Sequence, residues 1–166
     1  NVVIRIPASP GHEDSRTVVL QGHMDMVCEK NSDTEHDFSK DPIKPVIDGE
    51  WVTADGTTLG ADNGIGMATG LCFLTDKEHP HGPLELLFTT DEETGLNGAM
   101  SLQPDFIKGR ILINLDSEDE GVFSIGCAGG GDTEITLPVS RSGSSNGTAL
   151  KLKLHGFKGR HSGLDI

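Results

Sequence analysis

Five short polar motifs concentrate side chains that can bind a metal ion or carry a proton. They are Gly22-His23-Met24-Asp25, Gly60-Ala61-Asp62-Asn63-Gly64, Asp91-Glu92-Glu93-Thr94-Gly95, Leu115-Asp116-Ser117-Glu118-Asp119 and Gly159-Arg160-His161-Ser162-Gly163. Imidazole and carboxylate together form the donor set of divalent ions that accept both nitrogen and oxygen. A carboxylate left over beside such ligands can act as a proton carrier. Together the motifs point to a hydrolase with two metal ions.

Each motif also has a plainer reading. His23 and Asp25 sit two apart, so on an extended backbone both point to one side. The carboxylate can then hold one ring N–H while the other nitrogen binds a metal, or the histidine is simply buried at a strand end. Asp62 opens a helical pattern, where aspartate is a common N-cap, but it stands among glycines with Asp55 and Asn63. Glu92 and Glu93, preceded by Asp91, repel one another unless water or a cation neutralises them. On an extended backbone they diverge, one toward a metal and the other toward water. Asp116 is open to the same two readings, whereas Glu118, Asp119 and Glu120 read as a solvated acidic turn. His161 is either a helix-start residue or a substrate contact. His12, His36, His79, His81 and His155 read as surface residues.

Several of these motifs follow directly on apolar runs that would have to position them. Gln21 follows Thr17-Val18-Val19-Leu20, Asp91 follows the run 84–88, and Asp116 follows the run 111–115. In an α/β sheet, strand ends bring residues distant in sequence to one edge. Residues 2–6 and 17–22 read as neighbouring strands joined by a turn-rich link, and 29–45 as a surface loop. Residues 46–52 form a hairpin around Asp48-Gly49. From Asp62 to about Asp76 the pattern is helical on Ile65, Ala68, Thr69, Leu71, Cys72 and Phe73, with Gly64, Gly66 and Gly70 permitting close packing on a sheet. Strand 84–90, a short helix near 97–102 and strand 110–115 complete an α/β alternation. The glycine-rich stretch 126–131 reads as a hinge, followed by strands at 133–139 and 149–154. A strand starting right after Asn1, and a helical start at Leu164-Asp165-Ile166, are what an excised or partial chain would show.

Composition narrows the partners. Across 166 residues, 26 acidic and 13 basic side chains give a formal charge of −13, which disfavours nucleic acid and anionic membrane. No apolar run approaches the roughly 18 residues of a membrane span, and no secretory leader pattern is found. Three cysteines without a Cys-x-x-Cys pair read as reduced thiols and predict a cytoplasmic protein. The glycines at 60, 64, 66 and 70 do not make a dinucleotide fingerprint, and phosphate loops and serine elbows are absent from the sequence.

Jointly and in this order, the motifs resemble those of the zinc-dependent aminopeptidase, dipeptidase and aminoacylase superfamily, whose catalytic subunits have two domains and a lid. The stretches 18–27 and 36–43 are similar, within it, to the aminoacyl-histidine dipeptidases, and the resemblance spans essentially the whole chain. It implies an α/β fold: a mixed-sheet zinc-peptidase catalytic domain over 1–127, then the start of a smaller α+β lid or dimerisation domain over 128–166. It also implies two Zn ions per subunit, replaceable by Co or Mn, an Xaa-His dipeptide substrate, and a homodimer through the lid. Carried over by position, His23 and Glu93 bind one metal, Asp62 bridges both, and Asp116 binds the second. Asp25 orients His23, Glu92 is the general base, and His161 reaches the substrate carbonyl or carboxylate. A further histidine ligand, expected near the family C-terminus, is not among these residues. Two rival expectations remain: a related N-acyl-amino-acid deacylase, and an inactive metal-binding or dimerising fragment.

Overall fold

The computed structural model describes residues 1–117, 119–126, 133–140, 143, 147–148, 150–153 and 155. The first unit, Asn1–Glu120, is built on a four-stranded mixed sheet. Its strands are β1 (Val2–Ile6), β2 (Val18–His23), β5 (Leu84–Thr89) and β6 (Ile111–Asn114), in the order β1-β5-β2-β6. β5 runs parallel to β2, β2 parallel to β6, and β1 antiparallel to β5. β1 and β2 are therefore not neighbours as expected, because β5 lies between them. Its near-continuous apolar run is the pattern of a strand covered on both faces, and all six of its residues are buried.

The chain from 45 to 54 forms the hairpin β3 (Pro45–Asp48) and β4 (Trp51–Ala54), with Asp48 opposite Trp51 and Gly49 at φ 62° in the two-residue turn. Helix α1 (Ala61–Cys72) lies on one face of the sheet, over Leu20, Leu86 and Phe88. The buried face of α1 is Asn63, Gly66 and Gly70, one stripe at helical spacing. Of the expected apolar face Phe73 packs against the core, but Ile65 is 69% exposed, and a side chain at Gly64 would meet open space. Glycine brings the helix backbone onto the strands, so the larger side chains stand to either side. A Cβ at Gly70 would lie 3.4 Å from Leu86. Helix α2 (Asn97–Met100) follows β5.

One charge is buried in the central strand. Glu85 accepts from Arg5 Nε at 3.0 Å, Lys108 N–H at 2.7 Å and Gly109 N–H at 2.9 Å. Burial pushes its carboxyl up, but the two backbone N–H groups and Arg5 outweigh that and hold it below its ordinary value.

The second unit begins at Gly121. Among its described residues there is no helix or strand. The strand expected at 133–139 is not formed there: Ile135, Leu137 and Val139 alternate correctly but are 87%, 78% and 65% exposed. Alternation marks a face; a strand needs a paired neighbour as well, and none is found among the described residues. The strand expected at 149–154 is likewise unpaired where described, and its two end residues, like His161 and Cys127, lie outside the described residues.

Candidate metal centre

The three parallel strands end at one edge, with His23 level with Thr89 and Gln21 level with Asn114. The segments following them converge there. His23 closes β2 and is 1% exposed. Its Nδ1 lies 2.8 Å from the backbone carbonyl of Asp25. A carbonyl can only accept, so this contact places a hydrogen on Nδ1 and turns Nε2 toward the carboxylates of the centre. The carboxylate of Asp25 stands 3.6 Å from Nδ1, too far for a hydrogen bond, and accepts instead from the Glu93 N–H at 3.1 Å. The contact that orients the ring thus comes from the main chain of Asp25, while its side chain holds the loop that carries Glu93.

Nε2 of His23 faces Asp62 Oδ1 at 2.9 Å and Asp116 Oδ1 at 3.6 Å. Asp62 does not cap α1. Gly60 takes the N-cap position in the left-handed region, at φ 81°, and Asp62 and Asn63 have non-helical backbone angles. The Asp62 side chain is 64% exposed and free to point toward His23. Donor atoms of His23, Asp62 and Glu93 all lie within 4.8 Å of one another.

Glu92 and Glu93 occupy a closed loop after β5. Asp91 and Leu96 have positive φ, at 53° and 61°, and the loop ends meet where Gly98 N–H donates to Thr90 O at 2.9 Å. Asn1 clamps the same ends: its Oδ1 accepts from Thr90 N–H at 3.1 Å and its Nδ2 donates to Gly98 O at 2.7 Å. Glu93 joins His23 and Asp62. Glu92 lines a cavity of about 180 Å³ with Asp116, Gln21, Thr89 and Asn114, walled by Leu87, Leu96, Ala99, Leu102 and Leu112.

These groups are electrostatically mismatched unless a cation joins them. Burial, followed by the charges of Asp116, Glu93 and Asp25, raises Glu92 against the opposing effect of His23. Burial and then Asp62 raise Glu93. Burial raises Asp116, with Asp62 adding and the Asn63 hydrogen bond opposing. For His23, burial pulls the imidazole down, but Asp62, Asp116 and the Asp25 carbonyl together leave it raised. Asp25 goes the other way: burial pushes it up, yet the N–H groups of Glu92 and Glu93 hold it low. Among the described residues no Lys or Arg forms a salt bridge to this cluster. A divalent ion fits the donor set, since one nitrogen and several carboxylate oxygens converge and their repulsion is what a cation removes.

Residues 19–139 match the model of peptidase family M20/M25/M40. The chain belongs to that family. It is 55% identical, over 167 aligned residues, to the cytosol non-specific dipeptidase of Escherichia coli strain K12, covering 100% of this chain and 34% of that protein. Among solved structures it resembles the aminoacylhistidine dipeptidase of Vibrio alginolyticus, at 61% identity and TM-score 0.69, over 72% of this chain and 24% of that one. The aminopeptidase PepT of Bacillus cereus follows at 31% identity and TM-score 0.54, over 70% and 29%. The chain thus spans about a third of the length of its E. coli relative.

Of the residues singled out in the sequence, the structure brings together His23, Asp25, Asp62, Glu92, Glu93 and Asp116. His161 lies outside the described residues. Asn1, Gln21, Asn63 and Asn114 were not anticipated as parts of the centre. Asn63 alone left a signal, its place beside Asp62 at helical spacing from Gly66 and Gly70.

Proposed function

We propose that this chain carries most of the metal-binding half of a dinuclear, divalent-metal-dependent dipeptidase acting on Xaa-His dipeptides. The observation that carries this reading is the convergence of His23, Asp62 and Glu93 within 4.8 Å, with Asp116 3.6 Å from the same imidazole. The names of the E. coli and Vibrio relatives support the substrate class. His23 and Glu93 hold one ion, Asp116 the other, and Asp62 bridges. Zinc suits this nitrogen and oxygen set, and cobalt or manganese can replace it.

Ions held by these residues would supply Lewis acidity, lowering the pKa of a bound water to about 7 and polarising the scissile carbonyl. The chain does the rest. Asp25 presents its carbonyl to His23 Nδ1 and its carboxylate to the Glu93 amide, so one residue holds two ligands in place. Glu92, lining the adjoining cavity, takes a proton from the attacking water and returns it to the leaving amine nitrogen. His161, on a lid domain over 128–166, contacts the substrate carbonyl or carboxylate, and the lid pairs two subunits. Unpaired Cys28 and Cys72 support a cytoplasmic setting, and no helix among the described residues is long and apolar enough to cross a membrane.

Two variants of the full chain test the assignment. Glu92→Gln should cut Xaa-His hydrolysis by ~10²–10⁴-fold at unchanged metal content, whereas Glu93→Ala should lower metal content. Metal loss from the first and none from the second would reverse the roles. Faster turnover of N-acyl amino acids than of dipeptides would transfer the site to a deacylase.

A further inference from the structure

We infer that Asn63 is a positioning residue that sets the distance between the two metal positions, and that Gly22 and Gly66 are the socket that admits it. The inference rests on the dinuclear reading above.

Asn63 is 4% exposed, in the first turn of α1. Its Nδ2 donates to Leu115 O at 2.9 Å and to Asp116 Oδ1 at 2.6 Å. Both partners are acceptors, so the NH₂ end must face them, and both of its hydrogens are used. An aspartate there could not make the pair. The shorter contact suits a donor to a carboxylate. β6 itself does little to hold Asp116. Among the described residues the strand pairs only with β2, over residues 111–114, with Leu115 N–H to Gln21 O at 2.8 Å as its last main-chain bond. Beyond that point the anchors of Asp116 are Asn114 Oδ1, which accepts from its N–H at 3.1 Å, and Asn63.

Asn63 is also the chain neighbour of Asp62. One dipeptide therefore presents the bridging carboxylate through its first residue and grips the second-site carboxylate through its next. The separation of Asp62 from Asp116 is set by a single side chain, and the amide holds the same Oδ1 of Asp116 that faces His23 Nε2 at 3.6 Å. The amide oxygen of Asn63 finds no hydrogen-bond partner among the described residues and packs against bare backbone. A Cβ added at Gly22 or at Gly66 would overlap that oxygen. At Gly22 the nearest atom outside Asn63 is Met67 N, at an ordinary 3.6 Å, whereas at Gly66 a Cβ would also stand 2.7 Å from the main-chain oxygen of Leu115. Gly22 of the first motif and Gly66 of α1 are thereby explained by one amide.

The test is a mutational cycle in the full chain, read by Co²⁺ titration with its visible absorption spectrum and by melting of the metal-free protein. Asn63→Ala should weaken the second ion by roughly 10–100-fold, the usual effect of removing a ligand's supporting partner, with the first ion held as in wild type. Gly22→Ala should do the same and lower the apo melting temperature. In the Asn63→Ala background, Gly22→Ala should then add nothing, because its clash partner is gone, while Gly66→Ala should still destabilise through Leu115 O. Such non-additivity is the signature of direct contact. Two ions bound to Asn63→Ala with wild-type affinity and spectrum would overturn the inference, as would additive effects of Asn63→Ala and Gly22→Ala. If wild type takes up only one ion, the dinuclear reading fails, and the melting cycle alone then decides whether the socket exists.

Discussion

Replacing Glu85 by alanine tests how this sheet tolerates a charge in its middle strand. The carboxylate is 2% exposed and receives three donors: Arg5 Nε, and the N–H groups of Lys108 and Gly109. Hydrogen bonds to a charged group are worth about 1.5–3 kcal/mol each, and a buried donor left without an acceptor costs about 1–3 kcal/mol. The Arg5 side chain is 52% exposed, so water replaces its lost partner and that contact contributes little. The two backbone donors have less access to water, which puts the loss at about 3–5 kcal/mol, the range found when one partner of a buried pair is removed. Arg5→Ala removes only the solvent-facing donor and should cost about 1 kcal/mol or less. Urea unfolding by far-UV circular dichroism is the appropriate assay, since Trp51 is 76% exposed and a poor reporter. The sign with pH follows from the lowered carboxyl. A folded value below the ordinary 4.5 contributes stability above 4.5 that is lost as pH falls through the folded value. The gap between wild type and Glu85→Ala should therefore narrow on acidification. Equal costs for the two variants at neutral pH, or a gap that widens in acid, would refute the reasoning. Metal uptake should be unchanged, because Glu85 sits one residue into β5, at the end away from the centre.

The metal cluster predicts the opposite pH behaviour. Glu92, Glu93 and Asp116 are raised above their ordinary values, so in the metal-free protein they favour the fold below about pH 4 and withdraw that contribution as pH rises through their folded values. Metal-free protein should gain more melting temperature on adding Zn²⁺ at neutral pH than near pH 5, and equal gains would contradict it. Zinc uptake should release protons, seen as a buffer-dependent heat in calorimetry; a buffer-independent heat would mean that the carboxylates and His23 are already unprotonated. Gly60→Ala should destabilise by about 1–2 kcal/mol, the cost of a left-handed L-residue, because Gly60 has φ 81° and a Cβ there would stand 2.9 Å from Met26 Sδ. Thermal melts of that variant check it, and an unchanged midpoint would show that the turn before Asp62 relaxes freely.

Much of the centre was legible because its ligands follow apolar runs, and parallel strands end at a common edge. His23 after Val18–Gly22, Glu92 and Glu93 after Leu84–Thr89 and Asp116 after Ile111–Leu115 needed only that rule to be placed at the edge, while their separate roles were implied by the resemblance. Other parts were hidden for physical reasons. Strand order depends on which run is covered on both faces, so β5 entered between β1 and β2 although the link of residues 7–17 is short. The packing of α1 was legible only in part: Gly66 and Gly70 bring the backbone to the sheet as expected, whereas Gly64, Ile65, Ala68, Thr69, Leu71 and Cys72 are exposed. The alternation at Ile135, Leu137 and Val139 could not reveal that the strand lacks a partner among the described residues.

By itself the sequence determined which side chains can ligate, that they follow apolar runs, and that their charges need water or a cation beside them, since these follow from residue type and local periodicity. Only the tertiary structure decided how they are held. The Asp25 carbonyl rather than its carboxylate sets the His23 tautomer, Asn1 closes the loop of Glu92 and Glu93 from 89 residues away, and Asn63 joins Asp62 to Asp116 across 53. Such contacts depend on distances between segments far apart in the chain, and short-range pattern carries no information about those.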